Sequence, residues 1–149
     1  MDARKNLPTA SELPMDRLIH KLVRRYETNC PFKLAAQLNI EVLYEDLGTT
    51  TRGMYRKTLR RRYIAIHSDL SEEWQRLICA HELGHALLHP GISRFWIDEH
   101  TFLYAGKYER EANRFAVHLL LGEEKLECDE SVFDLFRRNG IPEEMHTYY

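Results

Sequence analysis

His81-Glu82-Leu83-Gly84-His85 is the part of this chain whose residue types and spacing could do chemistry. On a helix, residues four apart share a face, so two imidazoles at this spacing can grip one metal ion. The carboxylate beside the first imidazole is then within reach of a water molecule held by that ion, and the five residues together form a zinc-peptidase signature.

A catalytic zinc takes three protein ligands and keeps one position open. The extended pattern H-E-x-x-H-x-x-G-x-x-H would need glycine at 88 and histidine at 91, whereas the chain has Leu88 and Gly91. His89 continues the four-residue ladder. Between positions 81 and 89, however, an unbroken helix rises about 12 Å and turns about 80°, so three rings cannot converge on one ion. His89 is therefore expected behind the ligands or at the helix C-terminus. The third ligand is sought on the following helix, predicted over Lys107 to Leu121, whose apolar stripe runs through Tyr108, Ala112, Phe115, Ala116, Leu119 and Leu120. At about 100° per residue Glu109 falls inside that stripe and Glu111 outside it. An acid on a buried face needs a partner, and a divalent ion is a suitable one. Glu109 is the expected third ligand, with Glu111 the alternative.

The elements that must position these residues are legible around them. Ser71-Glu72-Glu73-Trp74 supplies an N-cap residue and early acids. Trp74, Leu77, Ile78, Leu87 and Leu88 supply apolar residues at helical spacing, and Pro90-Gly91 ends the segment. The motif thus lies centrally in a helix of about five turns with one buried face. Upstream, Pro14 to about Thr28 is predicted helical, with Met15, Leu18, Ile19, Leu22, Val23 and Tyr26 on its apolar face, and Pro31 opens a second helix through Leu38. Ile40–Tyr44, Gly53–Tyr55 and Tyr63–His67 are predicted strands. Ser131–Arg138 and a short segment after Pro142 are predicted helical, separated by Asn139-Gly140.

The stretch from about Phe32 to Leu121 resembles the ImmA/IrrE family of metallopeptidases. The resemblance is carried by His81-Glu82-Leu83-Gly84-His85-Ala86-Leu87-Leu88-His89 followed by Glu109-x-x-Ala112-Asn113-x-Phe115-Ala116. Leu34-Ala35-x-x-Leu38-Asn39-Ile40-x-Val42 and Ile64-Ala65-Ile66-His67 are similar to its opening helix, first strand and the strand before the catalytic helix. The resemblance implies an α+β, mostly helical zincin-like domain with a small sheet of about three strands preceding the H-E-x-x-H helix. It also implies His81, His85 and Glu109 as zinc ligands and Glu82 as catalytic base. Leu121-Gly122 stands where the family often has Met-Pro. Members are associated with limited cleavage of a helix-turn-helix repressor, in phages, mobile elements or stress responses, so the implied partner is such a repressor.

Zinc lowers the pKa of bound water to about 7, and Glu82 would accept the proton and pass it to the leaving amine. Other divalent ions compete for such a site. His100, Tyr104, Arg110 and His118 are unranked candidates for stabilising the oxyanion, with His118 expected to face solvent. Tyr63–His67 is expected, by analogy with other zinc peptidases, to be an edge strand that holds substrate by main-chain hydrogen bonds.

At 149 residues the chain is expected to form one domain, residues 14–149, behind a flexible tail, residues 1–13. A net charge of −2 and a pI near 6.4 provide no bulk attraction to nucleic acid. Lacking an apolar run near 18 residues and a signal-type start, the chain is expected to be cytoplasmic, with no membrane partner. Cys30, Cys79 and Cys128 are isolated, with Cys79 read as a buried free thiol. Arg52, Arg56, Lys57, Arg60, Arg61 and Arg62 form a run without acids, read as a solvated hairpin in preference to a docking surface. Two rival functions fit the residues: a non-cleaving anti-repressor that binds and sequesters its partner, and a metal that only joins two helices.

Overall fold

The computed structural model describes residues 14–91 and 102–149, with side chains from residue 106 onward in the second stretch; the expected 1–13 tail lies outside the described residues. Helices α1 (Pro14–Tyr26) and α2 (Pro31–Gln37) lead into strands β1 (Glu41–Glu45), β2 (Gly53–Lys57) and β3 (Arg62–His67). Then come α3 (Glu72–Leu88), α4 (Phe102–Leu121), α5 (Val132–Arg138) and a 3-10 turn at Glu143–Tyr148. The α+β, mostly helical arrangement expected from the sequence is present, with the three-stranded sheet ahead of the H-E-x-x-H helix.

The sheet order is β1-β3-β2, with β1 parallel to β3 and β2 antiparallel to it. This corrects the expectation that Tyr63–His67 is an edge strand. β3 is central, pairing Val42↔Ile64 on one side and Tyr55↔Ile64 on the other. Its continuous buried run Ile64-Ala65-Ile66-His67 is the pattern of a strand covered on both faces. The edges fall to β1 and β2, whose residues stay half-exposed or exposed. The β2–β3 hairpin closes through the Thr58 N–H bonding Arg61 O at 2.8 Å, and Leu59 at its tip is fully exposed. Three of the basic residues there hold the fold: Arg61 forks onto Glu41, Arg62 donates to Leu38 O, and Arg52 stacks 4.4 Å from the Trp74 ring centroid.

Ser71 caps α3, its Oγ accepting from Trp74 N at 3.4 Å. One buried face was expected; instead every residue from Leu77 to Gly84 is buried, because α3 is packed against the sheet, α2 and α4 together. Gly84 makes the closest approach possible. A Cβ there would stand 2.9 Å from Phe115 Cδ1 on α4, and Phe115 is wholly buried. Helix α4 begins five residues earlier than the predicted Lys107 and ends as predicted at Leu121, where Gly122 takes φ +59°. Its last carbonyls, Leu119 O and Leu120 O, each accept from Asn29 Nδ2 at 3.3 Å. The core beneath is continuous, from Ile19 and Leu22 of α1 through Leu34, Ile64, Ile66, Leu83, Phe115 and Leu119 to Phe136.

Candidate metal centre

α3 and α4 lie side by side and bring their polar faces together at one point. There His81 Nε2 and His85 Nε2 are 3.1 Å apart, Glu109 Oε2 is 3.2 Å from His81 Nε2, and Glu109 Oε1 is 2.9 Å from His85 Nε2. Zinc–nitrogen bonds of about 2.0–2.1 Å in tetrahedral array put neighbouring donors about 3.3 Å apart. The two imidazole nitrogens and the Glu109 carboxylate, with one oxygen beside each ring, are therefore spaced like neighbouring donors of such a tetrahedron. Two imidazoles and a carboxylate are also the ligand chemistry of an open, catalytic zinc site. Among the described residues, His81, His85 and Glu109 are the group able to hold a metal ion.

The local charges fit that use. Burial works against the charged ring of His81, yet its hydrogen bond to Glu109 and the nearby Glu82 charge raise its pKa overall. Glu109 is driven the other way: burial opposes ionisation, but the two histidines hold the carboxyl well below its usual range. A cation bound between these groups would compete with protons for the same atoms. His81 is fixed from behind, its Nδ1–H donating to Asn113 Oδ1 at 2.7 Å, which leaves Nε2 free for the shared point. Asn113 stands four residues after Glu109, so one face of α4 carries both the carboxylate and the orienting amide.

Glu82 is buried on α3 beside the cluster. Gly53, the first residue of β2, lies over it: a Cβ at Gly53 would overlap Ile78 Cγ2 and come within 3.4 Å of Glu82 Cγ. Glu109 itself departs from expectation. Its side chain is 56 % exposed, because the N-terminal half of α4 runs past the core and the carboxylate sits at the rim of the stripe. Glu111, the alternative ligand, reaches a different place: Glu111 Oε2 is 2.7 Å from His89 Nε2. His89 is the buried C-cap of α3, its Nδ1 3.1 Å from His85 Nδ1, in accord with a position behind the ligands.

Of the oxyanion candidates, His100 and the Tyr104 side chain lie outside the described residues. His118 is not solvent-facing as expected. α1 covers it, Asp16 Oδ1 lies 3.2 Å from its Nδ1, and its Nε2 is buried without a hydrogen-bond partner. Nine residues separate it from Glu109, about 14 Å along the helix, which removes it from the site. Asn113 belongs to the family motif, and its four-residue spacing from Glu109 is the sequence signal for its place behind His81. Cys79 is a buried free thiol as expected, and Cys128 is exposed.

The chain is 36% identical over 131 residues to "Uncharacterized immunity region protein 2" of Bacillus phage phi105, covering 85% of this chain and 83% of that protein. It is 26% identical over 108 residues to "Metallopeptidase ImmA" of Bacillus subtilis (strain 168), covering 72% of this chain and 63% of that protein. Residues 35–137, which include α3, α4 and all three candidate ligands, match the model of the peptidase M78 family, described as the IrrE N-terminal-like domain. The chain belongs to the IrrE N-terminal-like family of M78 peptidases.

Proposed function

We propose that residues 14–149 form one zinc-dependent endopeptidase domain that makes a limited cut in a protein substrate, a helix-turn-helix repressor, and so derepresses genes. The observation that carries this reading is the convergence of His81 Nε2, His85 Nε2 and Glu109 within 2.9–3.2 Å of one another, beside a buried Glu82. The relatives, a metallopeptidase and a phage immunity-region protein, support it.

A bound zinc ion supplies Lewis acidity toward water and toward the scissile carbonyl. His81, His85 and Glu109 would hold it. Glu82, one residue from a ligand on the same rigid helix, accepts the proton of the attacking water and returns it to the departing amine. The outer edge of β2 is unpaired in the described sheet, and its first residue, Gly53, lies against Glu82. An extended substrate segment adds to that edge, which takes over the role first assigned to Tyr63–His67. The family resemblance and the immunity-region relative support a helix-turn-helix repressor as the substrate. Cleavage of such a substrate belongs in the cytoplasm. Among the described residues no helix is long and apolar enough to cross a membrane, which is consistent with that location. The basic hairpin is half engaged within the fold and the net charge is −2, so no direct nucleic-acid contact is part of the reading.

The test is intact-mass analysis of the repressor from the same genetic locus after incubation with zinc-loaded protein, alongside its Glu82→Gln variant. A single cut seen only with Glu82 intact is expected. A stable uncut complex formed by both proteins would replace cleavage with sequestration.

A further inference from the structure

The two histidines of the candidate centre are oriented by different means, and the difference lies in residues 89 and 111. His81 Nδ1–H has a simple acceptor in the Asn113 amide oxygen. His85 Nδ1 instead faces another nitrogen, Nδ1 of His89, at 3.1 Å. Two ring nitrogens at that distance can bond only if one carries a proton and the other a bare lone pair. What decides between them lies one ring further on. Glu111 is an acceptor when ionised, Lys107 Nζ stands 3.8 Å from its other oxygen, and Glu111 Oε2 lies 2.7 Å from His89 Nε2. The His89 proton is therefore drawn to Nε2, which leaves His89 Nδ1 as the acceptor. His85 must then donate through Nδ1–H, and its Nε2 lone pair points at His81 Nε2 and Glu109.

We propose that Glu111 and His89 form a relay that fixes the tautomer of His85 and so presents its Nε2 for metal binding, making both of them positioning residues. The inference rests on the metal reading given above. The relay is built to be rigid. His89 is 6% exposed, its backbone N–H bonds His85 O at 3.0 Å at the end of α3, and the Tyr108 ring packs edge-on 4.5 Å from it. It also explains the third histidine of the four-residue ladder. His89 cannot reach the shared point, but the same helical spacing aligns its ring with the back of His85. Glu111 stands two residues from Glu109 and so leaves the ligand face of α4. One helix thereby supplies a ligand, an amide for one imidazole and a carboxylate for the relay behind the other.

Zinc affinity by chelator competition, together with long-range 1H–15N correlation spectra of the histidine rings, tests the relay without any activity assay. In wild type we expect His85 as the Nδ1–H tautomer and His89 as the neutral Nε2–H tautomer. His89→Leu and Glu111→Leu should each weaken zinc binding by about 10–100-fold, as losses of outer-shell partners do. The double variant should be no worse than either single one, because both cut the same chain. His89→Gln, which keeps an acceptor beside His85, should recover most of the affinity. Circular dichroism of each metal-free variant separates this effect from loss of fold. Wild-type zinc affinity in both leucine variants, or His89 carrying its proton on Nδ1, would overturn the relay while leaving the metal site in place. A wild-type protein that binds no zinc would overturn the metal reading and the relay with it.

Discussion

Gly84→Ala probes the close approach of α3 and α4 that brings the three candidate ligands together. The added methyl would sit 2.9, 3.2 and 3.3 Å from Phe115 Cδ1, Cγ and Cβ. Carbon pairs prefer about 3.5–4.0 Å, so the worst contact is short by about 0.6–1.1 Å. Phe115 is wholly buried and has no open space to turn into, so the helices must part or the ring must leave its rotamer. Overpacking of this kind costs about 1–3 kcal/mol, and the better helix propensity of alanine offsets about 1 kcal/mol. The net destabilisation is about 0–2 kcal/mol, a fall in Tm of a few degrees in a domain of this size. The effect on the site should be larger than the effect on the fold. Glu109 lies on α4 and the two histidines on α3, and sites of this kind tolerate displacements of only about 0.5 Å. A parting of the helices by about 0.6 Å or more should therefore weaken zinc binding by about tenfold or more. Chelator competition and thermal unfolding would be measured for Gly84→Ala and for Gly84→Ala with Phe115→Leu, where the smaller side chain gives the methyl room and should restore part of the affinity. Wild-type zinc affinity in Gly84→Ala would refute the claim that this glycine sets the ligand spacing.

Two further outcomes follow from other parts of the structure. Glu130, held down by Arg138 and the backbone of Glu127, and Asp134, held down by the Ser131 hydroxyl and backbone, both have carboxyls below their ordinary values near 4.5 and 3.8. Their contribution is thus fully present above those values and is lost as pH falls through the lowered ones. Amides of residues 123–138 should lose protection first on acidification to about pH 2.5, after correction for intrinsic exchange, and equal protection there and at pH 6 would contradict this. The Cys79 thiol is pushed up by burial, with the charges of Cys30 and Glu82 adding to it, while Cys128 is exposed. Maleimide at neutral pH should modify Cys128 quickly and Cys79 only on unfolding, as read by intact mass and peptide mapping; comparable rates at the two cysteines would place Cys79 at the surface.

The local signals of this chain are legible in its sequence. Ser71, Pro90 and Gly91 bounded α3, and the Asn139-Gly140 break ended α5, whose expected start at Ser131 is held in the structure by a capping box, because caps and stops act within one helical turn. His81 and His85 stand four residues apart on one helix, so their spacing alone specified their common face. The choice of Glu109 over Glu111 came from helical phase, and the structure brings Glu109 and not Glu111 to the two histidines. The inferred burial of Glu109 did not hold, since phase places a side chain on a face and says nothing of where the core ends along the helix axis.

What only the tertiary structure decided involves partners distant in sequence. Strand order is the clearest case: the apolar run at Ile64–Ile66 shows a strand covered on both faces, but which strands flank it depends on how the chain returns, and β3 proved central. His118 appeared exposed from its place on α4 alone, and α1, a hundred residues earlier, covers it. Asn29 caps α4 from ninety residues away. The sequence by itself determined which residues can bind a metal and on which helical faces they stand, because a helix has a fixed repeat. The packing of α3 against α4 through Gly84 and Phe115 decided that each pair among His81, His85 and Glu109 brings donor atoms within 2.9–3.2 Å and that His89 and Glu111 stand behind His85, because distances between elements are set by side-chain volume across an interface and not by spacing along the chain.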